Sequence, residues 1–124
     1  MDFRKKILKR AGLNPGEVIS ECHEKGGAII DINENLYEAQ AHFLDGHRNQ
    51  AIGAIDTAVE RAREARVKGA LSESAMRDWI GDLKDLRKLA WDFTVGKEDV
   101  VQEIKNLRWQ ATSMAFNAVL RCME

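Results

Sequence analysis

The sequence predicts an all-α protein, an antiparallel four-helix bundle, and three observations carry that prediction. Apolar residues recur at alternating steps of three and four along most of the chain. The single proline, Pro15, stands where a helix would start and not inside one. The segments between periodic stretches are short and polar, which makes successive helices alternate in direction. Helices are expected at about 15–44, 49–67, 72–94 and 98–123, preceded by a short basic N-terminal helix at 2–11. A chain of 124 residues suits one helical domain, 1–124, with residues 1–12 packed on or beside the bundle.

The N-terminal segment places Phe3, Ile7, Leu8 and Ala11 on one side of a helix and closes on Gly12. Its charge is its main feature. Arg4, Lys5, Lys6, Lys9 and Arg10 oppose only Asp2, a local excess of +4 in a protein whose net charge is -1. These five cations are a candidate surface for an acidic partner. They could also neutralise several phosphates, but no aromatic platform or recognition helix accompanies them, so nucleic acid is an unfavoured partner.

Asn14 and Pro15 form a helix start, since asparagine accepts from the orphan amides and proline's fixed φ suits the first helical position. Val18, Cys22, Lys25, Ile29, Ile32, Leu36, Ala39 and Phe43 then make a heptad stripe broken only by Lys25. The register runs through Gly26 and Gly27. Each glycine costs a helix roughly 1 kcal/mol relative to alanine, yet an isolated strand here has no partner, so a continuing helix, straight or kinked, is expected.

After the loop Asp45, Gly46 and His47, the next helix has a stripe of small residues, Ala51, Ala58, Ala62 and Ala65 around Ile55, which lets a neighbour approach closely. Ser72 is a plausible N-cap for the following helix, whose inner face is expected to hold Met76, Trp79, Leu83, Leu86, Ala90 and Phe93. Its outer charges separate, Arg77, Lys84, Arg87 and Lys88 on one flank and Asp78, Asp82, Asp85 and Asp92 on the other. The pairs Phe43 with Gly46 and Phe93 with Gly96 lie fifty residues apart, each ending one helix and opening the next.

The last helix carries two apolar stripes where a surface helix needs one. Val100, Ile104, Leu107, Ala111, Met114, Ala118 and Cys122 face the bundle, and Trp109, Phe116, Leu120 and Met123 centre about 180° away. A bundle leaves that second stripe bare, as a patch at or beyond the ~300–600 Å² of the largest on most soluble monomers. Three covers are open: the N-terminal helix through Phe3, Ile7, Leu8 and Leu13, a second copy of the chain as a homodimer, or a different protein. The expected function is therefore a non-enzymatic protein–protein interaction module, a small regulator, adaptor or inhibitor.

Cys22 and Cys122 lack any CxxC partner and are read as two thiols acting as small core hydrophobes. The bundle nevertheless brings them to one end on neighbouring helices, so pairing stays open if their Cα atoms fall within about 7 Å. No apolar run approaches a membrane span, and the first residues alternate charge with Phe3, Ile7 and Leu8 in place of a signal-peptide core. A cytoplasmic protein without membrane contact is expected.

No catalytic residues, no metal ligands and no cofactor are expected, because no HExxH, GxGxxG, Walker loop or GxSxG elbow occurs. One constellation stands apart. His23-Glu24-Lys25-Gly26-Gly27-Ala28 resembles the histidine motif of phosphotransfer domains, which are also small four-helix bundles and carry lysine three and glycine four residues after an exposed histidine. Gly27 matches that glycine, whereas Lys25 comes one residue early and Gly26 takes its place. The resemblance implies an alternative function, a phosphocarrier using His23.

Overall fold

The computed structural model describes residues 15–123, with side chains from Glu21 onward. Four α-helices follow one another: α1 (Pro15–Leu44), α2 (Arg48–Val67), α3 (Glu73–Trp91) and α4 (Lys97–Met123). The expected basic helix at 2–11, and with it Arg4, Lys5, Lys6, Lys9 and Arg10, lies outside the described residues.

Helix α1 packs along both α2 and α4, α2 also packs on α3, and α3 touches α4 at few places. One core joins all four. Ile29, Ile32 and Leu36 of α1, Ile55 of α2, Leu83 and Leu86 of α3 and Ile104 of α4 are almost wholly buried. Ala51, Ala58, Ala62 and Ala65 are sealed against neighbours, as their size allows. Across the thin α3–α4 seam, the Trp79 indole N–H donates to Met114 Sδ at 2.9 Å, giving the buried tryptophan's polar atom a partner.

Helix α1 runs unbroken through Gly26 and Gly27, and the two glycines do different jobs. A Cβ on Gly26 would stand 2.5 Å from Val119 Cγ2, so the missing side chain is what lets α4 come this close. A Cβ on Gly27 would meet nothing within 4 Å. Gly27→Ala should therefore stabilise the protein by about 1 kcal/mol through helix propensity alone. Gly26→Ala should destabilise it despite the same propensity gain, because the stiff β-branched valine has to move. Chemical denaturation of the two variants checks this; Gly26→Ala matching Gly27→Ala would show that the close approach is not needed.

The turn after α2 is built by Gly69, at φ +76°, with Ala70 N–H and Leu71 N–H both donating to Ala65 O at 2.8 and 3.2 Å. Ser72 Oγ then accepts from Ala75 N–H at 3.1 Å, capping α3 as expected.

Two expectations are corrected. Phe93 is not an inner residue of the third helix: it is 77 % exposed, and α3 stops at Trp91. The cause is local. The Asp92 carboxylate accepts from Thr94 N–H at 2.9 Å and from Thr94 Oγ–H at 2.6 Å, a turn that competes with continued helix. Phe93 instead lies against Arg48, whose guanidinium sits 4.2 Å from its ring centre and 5.3 Å from that of Phe43. Arg48 also donates to Ala90 O near the end of α3, and Lys97 donates to Leu44 O at the end of α1. Each hairpin thus supplies a cation to the carbonyl end of the other, where the helix dipole favours it.

The second correction concerns the cysteines, which are not free thiols. Cys22 and Cys122 form a disulfide with Cα atoms 5.4 Å apart, joining the start of α1 to the end of α4 across 100 residues of sequence. Antiparallel packing of the first and last helices is what brings them together.

Candidate interaction surface

Helices α1 and α4 carry five of the large apolar residues the core did not absorb, Val67, Trp91 and Phe93 being exposed elsewhere. On α4, Trp109 is 75 % and Phe116 65 % exposed, while Leu120 and Met123 are half-buried. The second stripe of the last helix is therefore bare at Trp109 and Phe116 and partly covered towards its end. On α1, Ile30, Tyr37 and Leu44 are all exposed and recur every seven residues, the spacing that also separates Trp109, Phe116 and Met123.

Arg108 ties the two stripes together. Its guanidinium donates to Asn33 Oδ1 at 3.2 Å and to Gln40 Oε1 at 2.8 Å, and it lies 4.8 Å from the Tyr37 ring centre. Asn33, Arg108 and Trp109 line one shallow groove between the helices. Tyr37 against the Arg108 guanidinium and Trp109 in the same groove as Arg108 make a surface of aromatic and arginine side chains that protein interfaces favour.

Sequence reasoning missed Ile30, Tyr37, Leu44 and Arg108. The signal for the first three was present as an off-register heptad along α1, overshadowed by the stronger inner stripe. Arg108 had no such signal, because its acceptors lie on another helix.

Five of the eight charges expected to separate on α3 are placed on its two sides. Lys84, Arg87 and Lys88 face α2, where Arg87 Nε–H donates to Asp56 at 2.9 Å. Asp82 and Asp85 border α4 near Glu103. Partial burial, and then the neighbouring Asp85 and Asp78, push the Asp82 carboxyl above its ordinary value. A carboxyl raised in the folded state opposes folding once it is ionised, and that penalty fades as pH falls through the folded and then the unfolded value. Asp82→Asn should therefore raise the thermal midpoint slightly near neutrality and lose that advantage at a pH below the carboxylate range; thermal melts at the two pH values check it.

No protein-family model, curated protein or solved structure matches this chain. Among the described residues no group of three or more His, Cys, Asp or Glu side chains is placed to hold a metal ion, and no helix is long and apolar enough to cross a membrane. His23 is exposed on α1, one helical turn before Gly27.

Proposed function

We propose that this protein is a non-enzymatic protein–protein interaction module, a small regulator, adaptor or inhibitor, working through the outer face of α1 and α4. The observation that carries the reading is the pair of seven-residue stripes, Ile30, Tyr37 and Leu44 beside Trp109 and Phe116, flanking Arg108. A third amphipathic helix packs into such a seam by the rules that pair helices elsewhere. The partner helix belongs to a second copy of the chain or to another protein.

Light scattering on wild type and on Trp109→Glu/Phe116→Glu distinguishes these. A dimer mass that falls to the monomer value in the variant identifies a second copy. A monomeric wild type that retains a host protein which the folded variant releases identifies a separate partner. The reading fails if the variant neither changes mass nor loses a partner.

A cytoplasmic setting is part of this proposal and meets one opposing observation. A disulfide such as Cys22–Cys122 persists in oxidising compartments and is rare in the cytosol. Alkylation before lysis of the native host decides the matter: two blocked thiols place the protein in a reducing cytoplasm, and none places it in an oxidising compartment.

A second reading, a phosphocarrier using His23, is favoured by the exposure of His23 and the open space above Gly27. Acid-labile phosphate on His23 after incubation with a phosphodonor would support it, and its absence would end it. A nucleic-acid role for Arg4, Lys5, Lys6, Lys9 and Arg10 rests on residues outside the described range; salt-insensitive or absent retention on DNA counts against it.

A further inference from the structure

Among the described residues of the inner α1 stripe, Lys25 is the one that the core does not explain. From Cys22 to Phe43 every other member of that stripe is apolar and buried. Lysine at such a position buries its stem and has to find an outlet for its ammonium. The outlet is a cavity of ≈ 420 Å³ at the disulfide end of the bundle.

Three elements supply the described lining of the cavity. Ile29 of α1, Leu71 of the α2–α3 turn and Met114 and Ala118 of α4 form its apolar part, while Lys25, Asn117 and Arg121 supply the polar groups. Its walls are held in place before any ligand arrives. The Cys22–Cys122 bond closes one side, the tight approach of α4 to Gly26 sets the width, and the hydrogen-bonded turn at Gly69 stands over Lys25 Cε. Preformed walls of this kind reduce the ordering cost of binding.

Among the described residues the charge is unbalanced: no described carboxylate lines the cavity, and neither Lys25 nor Arg121 has a described ion-pair partner. The α2–α3 groove differs in this respect, since Asp56 and Glu60 stand among its cations and Arg87 is already paired.

We propose that this cavity binds a small organic monocarboxylate with an unbranched apolar chain. The carboxylate is taken by Lys25 and Arg121, with Asn117 as a further donor, and the chain lies on Ile29, Leu71, Met114 and Ala118. An inorganic anion leaves the apolar wall unused, and an uncharged hydrocarbon leaves two cations unanswered. The volume falls in the lower part of the ~300–1,000 Å³ range of small-molecule sites, which suits a short chain.

Octanoate is the test ligand, titrated into the oxidised full-length protein and followed by amide chemical shifts. Saturable shifts at Gly69, Asn117 and Arg121 are expected, with octan-1-ol and inorganic phosphate each at least about tenfold weaker. Lys25→Met restores the apolar stripe and so should fold at least as stably as wild type, yet bind octanoate about tenfold more weakly or worse. Absence of saturable binding up to about 10 mM, equal binding of octan-1-ol or phosphate, unaltered binding by Lys25→Met, or shifts gathered around Trp109 and Phe116 would each overturn the proposal. A short peptide that binds through its C-terminal carboxylate more tightly than octanoate would overturn it as well.

Discussion

Opening the Cys22–Cys122 bond should lower the stability of this protein by about 3–5 kcal/mol. The bond closes most of the chain, its two ends standing 100 positions apart in the sequence, and the entropy it removes from the unfolded ensemble grows with the length of the closed loop. Against a typical domain stability of about 5–15 kcal/mol, that loss is a large share. The folded state should respond unevenly. The disulfide end has lost its clasp, whereas the opposite end is still held by Arg48 on Ala90 O and Lys97 on Leu44 O. Urea denaturation with and without reductant measures the loss, and Cys22→Ala/Cys122→Ala separates it from any effect of the reductant. Hydrogen exchange should quicken first at the end of α4 and the first described turns of α1. An unfolding midpoint that ignores the reductant would show that native packing alone sets the ends together.

The second large effect is expected at Leu36. Leu36→Ala should cost about 2–5 kcal/mol, because the leucine is 0 % exposed and sits on the helix that packs against both α2 and α4. The space left behind is bordered by elements from two directions, which limits how far the core can collapse into it. Leu44→Ala supplies the control on the same helix. Leu44 is 49 % exposed on the outward stripe, so its loss should cost under about 1 kcal/mol. Denaturation curves of the two variants compare the inner and outer stripes directly. Equal costs would mean that the outward stripe is covered in solution, and a concentration-dependent midpoint would identify a second copy as the cover.

Most of the architecture was legible because helix periodicity writes burial directly into the sequence. The stripes containing Ile29, Ile32 and Leu36, or Ala51, Ile55 and Ala58, name their own buried faces, and Ser72 named the start of α3. Phe93 was misread for a reason of the same local kind. Its spacing fits the inner stripe of α3, but spacing is blind to the Asp92–Thr94 turn that ends the helix two residues earlier.

The candidate surface was half legible. Trp109 and Phe116 were marked as surplus by position alone, and both are exposed. Ile30 and Tyr37 belong with them only because α1 and α4 lie side by side, and Arg108 only because its acceptors come from the other helix. Lys25 was visible as a break in a stripe. What the break opens onto depended on where the α2–α3 turn and Arg121 came to rest.

The sequence by itself determined four helices, their order and the face each one buries, since these follow from neighbours three and four residues apart. Only the tertiary structure decided that α1 crosses Gly26 and Gly27 unbroken, that Cys22 meets Cys122, and that Tyr37 of one outward stripe and Trp109 of the other both come to Arg108. Each of those depends on the separation and register of helices distant in the chain, and periodicity along a single helix holds no information about either.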